Sequence, residues 1–256
     1  MSLLDIIKYN NTLVANGDNV TLSEVYGKEK FCYLVYSLVK MQQPETILEL
    51  GTGLGTTALM IAQALKENNK GKIYTVDNGK EWDSLKTYLH TDCKTHKDYF
   101  NNLIKELGVN KQIQLSTQDL SKNILVKLKQ KIDLLFCDAT DTAALGCIEL
   151  LRNYLPKMNT ESSIFIDRAS TINHSYLLLE KIVKDLQNNK IPHILINKLS
   201  DKEEENLRKF VTKTKFTLVH LPEKNDKKIN KLQNSTAWIK LEPVDVLFQN
   251  NVSNVL

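Results

Sequence analysis

The residues best suited to chemistry in this 256-residue chain fall at the ends of apolar runs. "ETILELGTGLGTT", Glu45 to Thr57, passes from a strand-like segment into Gly51, Gly53 and Gly55, directly after the acidic Glu49. Glycine lets a ligand or another backbone approach closely, and a helix N-terminus just beyond supplies amide donors and a favourable dipole. That combination predicts a cofactor cradle. Asp77 closes the next apolar run, "KIYTVD", where a carboxylate can accept the hydroxyls of a ribose. Two further carboxylates end later runs: Asp138 in "FCDATD", with Asp141 a turn beyond, and Asp167 in "FIDRAS", followed by Arg168. Together with His174, these are the candidates for moving a proton or holding charge at a reacting centre.

Placing those residues at one crevice requires particular elements. "TILEL", "KIYTVD", "IQLST", "IDLLFCD" and "SSIFID" read as strands. Between them, "TTALMIAQALKEN", "DYFNNLIKELGVN", "AALGCIELLRNYL" and, later, "SYLLLEKIVKDLQNN" carry apolar residues at helical spacing. This alternation predicts an α/β, doubly wound Rossmann-like sheet, mostly parallel, with ligands at the carboxyl ends of its strands. "IPHILINKL" fits a strand or a short helix, and "DKEEENLRKFVTKT" a polar helix. "FTLVHL" and "TAWIKL" are two more strands, joined by a loop too long for a tight hairpin.

The bulk composition narrows the partners little. Net charge is +4, carried by lysines spread along the chain; the arginines are Arg152, Arg168 and Arg208. Such spacing describes a solvated surface better than a nucleic-acid footprint. Cys32, Cys93, Cys137 and Cys147 form no CxxC pair and read as free thiols of a reducing compartment. With no signal-peptide pattern and no bilayer-length apolar run, a cytoplasmic location is expected.

The register of the glycines decides the cofactor. From Gly53, "GLGTTA" satisfies the loose dinucleotide pattern, but Gly51 and Thr52 already fill the turn where that motif's first glycine belongs. From Glu49 the string is acid-x-Gly-x-Gly-x-Gly, which resembles the first motif of the class I S-adenosylmethionine (SAM)-dependent methyltransferases. "LSTQDL" is similar to the Ser-Gln-Asp segment of the catechol-type O-methyltransferases, with Thr117 in place of Ser. The resemblance covers about residues 40–241 and implies a seven-stranded sheet with an antiparallel last strand. It implies that Glu49, Gly51, Thr52, Gly53, Gly55, Thr56, Asp77, Asn78, Thr117, Gln118, Asp119 and Asp138 line the SAM site, with Asp77 on the ribose.

By the same resemblance, Asp138 and Asp167 stand where that family binds a divalent cation, but Arg168 replaces the family's Asn. A guanidinium offers no lone pair and adds positive charge, so metal-independent transfer is the preferred reading; a metal on Asp138, Asp141 and Asp167 is the alternative. The expected activity is methyl transfer to an oxygen or nitrogen of a small molecule, with Asp138, Asp167, His174 and Arg168 as catalytic candidates. Rivals are a nicotinamide enzyme, an RNA or protein methyltransferase, and a SAM-fold protein that binds without catalysis. No Asn/Asp-Pro-Pro-Tyr/Phe motif of a DNA methyltransferase follows the fourth strand.

Three segments remain. His90, Cys93 and His96 are zinc-competent types spaced three apart, without an evident fourth ligand, and read as a lid or substrate-contacting insertion. "KNDKKINK" (224–231) reads as a solvated loop that could meet an acidic substrate or RNA. Tyr26, Phe31, Tyr33 and Tyr36 lie on an expected N-terminal helix that could cover the site, with most of these rings reading as core. The expected organisation is a helical cap (1–40), a methyltransferase domain (41–241) and a tail (242–256), with a homodimer by analogy. The acceptor pocket is expected from the N-terminal helix, residues 80–96 and residues 189–215.

Overall fold

The computed structural model describes residues 29–83, 86, 89, 91–139, 144–169, 175–222 and 235–244. Tyr26, His90, Asp141, His174, the 224–231 run and most of the proposed tail lie outside the described residues.

In chain order, the first elements are α1 (Glu29–Gln42), β1 (Thr46–Leu50), α2 (Thr56–Asn68), β2 (Lys72–Asp77), α3 (His96–Leu107) and β3 (Ile113–Thr117). They continue with β4 (Ile132–Cys137), α4 (Ala144–Tyr154), β5 (Met158–Asp167), α5 (Ser175–Gln187), α6 (His193–Ile196), α7 (Asp201–Thr212), β6 (Thr214–Pro222) and β7 (Ser235–Pro243). The sheet has seven strands in the order β3-β2-β1-β4-β5-β7-β6. β1–β2, β2–β3 and β4–β5 pair in parallel, while β7 runs antiparallel to both β5 and β6. The sheet expected from the sequence, with its antiparallel last strand, is therefore present.

By compactness the chain divides into two units, residues 1–124 with 138–140, and residues 125–137 with 141–256. In the first unit, every residue of β1 is buried, as expected for a strand covered on both faces. α2 is buried from Thr56 through Ala62 because α1 packs along it and its other side meets β2 and β3. Phe31 on α1 is buried, whereas Tyr33 is exposed. Tyr36 donates its hydroxyl to Glu67 on α2, and that bond, then burial, pushes its phenol up to about 12. Asn69 and Gly108 end α2 and α3 in left-handed conformations, which asparagine and glycine adopt readily.

In the second unit, β5 begins at Met158, four residues before the expected start. Its pairing with β4 shifts between Ile132, opposite Met158, and Leu134, opposite Ser163. This irregularity absorbs extra residues of β5, and Ser162 Oγ donates to the Asn159 carbonyl at 2.6 Å across it. "IPHILINKL" resolves into the one-turn helix α6. α7 starts on a capping box in which Ser200 and Glu203 satisfy each other's end of the turn. Cys32, Cys137 and Cys147 are buried, Cys93 is half-buried, and none of the four forms a disulfide.

Candidate active site

Gly51 donates its amide to Val76 O at 2.9 Å, and Gly55 donates to Thr52 O at 2.8 Å, so the glycine loop turns sharply between β1 and α2. Gly51, Gly53 and Gly55 have φ of 94°, 53° and 83°, a region where L side chains are strained. Two of these glycines answer to the protein itself. A Cβ on Gly51 would come within 2.6 Å of the Asp138 carbonyl oxygen, and one on Gly55 within 2.1 Å of Phe100 Cε2. The close approach of Asp138 is reinforced by its amide, which donates to Leu50 O at 2.9 Å.

Asp77 ties this loop down. Its Oδ2 accepts from the amides of Thr52 and Gly53, both at 3.0 Å, and its Oδ1 accepts from Gly79 N at 2.7 Å. A carboxylate offers about four lone-pair directions, so one on Oδ1 remains for a ligand hydroxyl. The sequence anticipated a ribose acceptor at Asp77 but not its second task of fixing the loop amides.

Behind the loop, buried Glu49 accepts a hydrogen bond from Thr75 Oγ1, and Thr75 lies 2.6 Å from Thr52 Oγ1. Thr75 gives its proton to Glu49, so the Thr52 hydroxyl is the donor between the two threonines. Glu49 Oε1 is buried and finds no hydrogen-bond partner among the described residues. Burial first, then the charges of Asp138 and Asp77, push the Glu49 carboxyl well above the usual carboxylate range. Thr56, the first residue of α2, is also buried.

The third-strand segment joins the same cluster. Gln118 donates its amide to Asp77 O at 3.1 Å, and its side chain donates to Asn123 O at 2.6 Å. Asp119 pairs with Lys80 at 2.7 Å, which holds its carboxyl below the usual range, with help from Ser121. Asn78 Oδ1 accepts from the Lys80 amide at 2.9 Å, and Thr117 is exposed at the end of β3. A pocket of about 290 Å³ opens here, its wall including Asp77, Asn78, Trp82, His96, Leu115 and Thr117.

In the second unit, Asp167 is buried at the end of β5. Its Oδ1 accepts from Thr236 Oγ1 at 3.0 Å, across the β5–β7 pair. Arg168 Nε lies 3.8 Å from Asp167 Oδ2. Arg168 has φ 53°, a left-handed conformation that asparagine tolerates and arginine adopts at a cost of about 1–2 kcal/mol. Among the described residues no group of three His, Cys, Asp or Glu is placed to hold a metal ion.

In the insertion, Cys93 and His96 make separate contacts. The helix starts only at His96, so Cys93 and His96 do not share a helical face. Cys93 Sγ accepts from Asn102 at 3.4 Å, while buried His96 turns to the Gly53 carbonyl.

Residues 48–168 match the model of a family described as a methyltransferase domain. The match takes in the glycine loop, Asp77, Asp138 and Asp167. In fold it is similar to a candidate O-methyltransferase from Klebsiella pneumoniae, at 17% identity and TM-score 0.53 over 94% of this chain and 90% of that one. A SAH-bound methyltransferase from Podospora anserina is similar at 15% identity and TM-score 0.52, over 95% and 88%. An O-methyltransferase from Bacillus cereus in complex with SAH is similar at 15% identity and TM-score 0.50, over 94% and 89%. No curated protein matches the sequence. The Rossmann-like fold expected from the class I methyltransferase resemblance is thereby borne out, and the family match agrees with that resemblance. No helix among the described residues is long and apolar enough to cross a membrane.

Proposed function

We propose that this chain is a methyltransferase that binds SAM and transfers its methyl group to an oxygen or nitrogen of a small molecule. The observation that carries the reading is the glycine loop itself. Its amides at Thr52 and Gly53 are held by Asp77, which keeps one acceptor direction open, above a buried Glu49 with an unpartnered oxygen. These features fit a ligand with hydroxyl and ammonium donors. Structural neighbours crystallised with SAH support the same assignment.

SAM, when bound, supplies a methyl group on a sulfonium, whose transfer leaves a neutral thioether. The chain's own contribution is to place the acceptor in line and to take its proton. Asp138 is the leading group for that proton, since its backbone packs on the glycine loop. Asp167, oriented by Thr236 and accompanied by Arg168, is the second carboxylate, and Arg168 suits a carboxylate partner better than a cation. His174 is the proposed alternative base, and Asp141 the remaining acidic candidate. The described cysteines, none of them in a disulfide, support a cytoplasmic setting. Residues 1–40 as a cap, a homodimer, and the lack of a DNA or membrane partner belong to the same proposal.

Incubating the protein with methyl-labelled SAM and pooled small metabolites, with Mg²⁺ or with EDTA, tests this reading. Label is expected in new small molecules under both conditions. Asp138→Asn and Asp167→Asn are expected to remove transfer while SAM still binds. Binding of SAM with no transfer to any pool would favour a non-catalytic SAM-fold protein.

A further inference from the structure

One face of α3 grips the glycine loop at two points a helical turn apart. His96 Nε2 lies 2.6 Å from the Gly53 carbonyl oxygen, and Phe100 occupies the space that a side chain on Gly55 would need. A carbonyl can only accept, so Nε2 carries the proton and donates. The imidazole has little freedom to do otherwise. It is buried, stacks on Phe100 at 6.2 Å between ring centroids, and meets the Trp82 ring at 5.9 Å. The turn beneath it is fixed by Thr95, whose hydroxyl accepts from Asp98 N at 3.1 Å.

The two anchors of the loop are complementary. Asp77 holds the Thr52 and Gly53 amides from one strand end; His96 holds the carbonyl of the same Gly53 from the helix. Because a trans peptide points its C=O and N–H in opposite directions, fixing the Gly53 carbonyl sets the orientation of the whole Gly53–Leu54 peptide. Glycine at φ 53° would otherwise let that peptide rotate.

We propose that His96 is a positioning residue for the cofactor site: its Nε2–H locks the Gly53–Leu54 peptide in the orientation that SAM requires. This rests on the proposed SAM function. The His96 imidazole also lines the pocket beside Asp77, so the insertion that carries Trp82 and Thr95 sets the glycine loop through this one ring.

The test compares wild type, His96→Phe and His96→Gln by calorimetric titration with SAM and by thermal melting without ligand. Phenylalanine keeps a ring in the stack but has no donor; glutamine restores an amide donor. Loss of a buried hydrogen bond to a loop that must stay ordered is expected to weaken SAM binding about five- to tenfold in His96→Phe, with His96→Gln recovering most of it. In ¹⁵N spectra of the wild type, the His96 ring is expected as the Nε2–H tautomer. SAM affinity equal in all three proteins would overturn the role of His96 and leave the cofactor assignment standing. A wild type that binds no SAM would overturn both. Should His96→Phe fail to fold, the Gln variant and the tautomer decide: an Nδ1–H tautomer refutes the proposal.

Discussion

Replacing Asp77 by asparagine separates a residue that merely receives a ligand from one that builds the site. Three backbone amides converge on the carboxylate, those of Thr52 and Gly53 on Oδ2 and that of Gly79 on Oδ1. Asparagine can place its oxygen to serve the first two, but its amide nitrogen then faces Gly79 N, donor against donor. One charge-assisted bond is lost outright and two are weakened, so the ligand-free protein should lose about 2–3 kcal/mol. For a chain of this size that corresponds to a melting temperature lower by roughly 4–10 °C. Differential scanning calorimetry without ligand measures it, and a SAM titration of the same sample reads the binding loss separately. An unliganded Asp77→Asn protein melting within about 1 °C of wild type would refute the reasoning, because Asp77 would then hold nothing in the absence of cofactor.

Gly55→Ala combines a left-handed φ of 83° with a Cβ 2.1 Å from Phe100 Cε2, and should destabilise by about 2–5 kcal/mol in urea unfolding. Adding Phe100→Leu is expected to recover only the steric part. Glu49 holds its proton more tightly folded than unfolded, so the native state binds the extra proton above the ordinary carboxylate range and stability falls as pH rises through that window. Glu49→Gln should flatten that fall, as followed by melting temperature from pH 4 to 9. Arg168→Asn relieves the left-handed strain at φ 53° and should stabilise by about 0.5–1 kcal/mol in chemical denaturation, less whatever the Asp167 ion pair contributes.

Strands and helices with a clean period were legible from the sequence. β1, β2 and β3 lie where their apolar runs place them, and α2 spans the segment bounded by the glycine loop and Asn69. The start of β5 was not, because "MNTE" lacks alternation and is recruited through an irregular pairing with β4. The acid-glycine motif and Asp77 announced a cofactor site because their spacing is local. What Asp77 and His96 do inside it was hidden, since both act on residues far away in sequence: 77 on 52 and 53, 96 on 53. The histidine–cysteine spacing read as a lid or substrate-contacting insertion, and it did not disclose that the late start of α3 turns His96 to the glycine loop and leaves Cys93 to Asn102. An inward-facing Thr75 in the apolar "KIYTVD" was the remaining signal, as a buried hydroxyl needs a partner, here Glu49 and Thr52.

The claim at the centre of this account is that the loop from Glu49 to Gly55 receives SAM. Calorimetric titration of the full chain with SAM and, in parallel, with NADH tests it most directly, with Gly53→Arg as the control. SAM is expected to bind at a single site, NADH to give no heat of binding, and Gly53→Arg to abolish the SAM signal. Binding of NADH in place of SAM, or SAM binding untouched by Gly53→Arg, would contradict it.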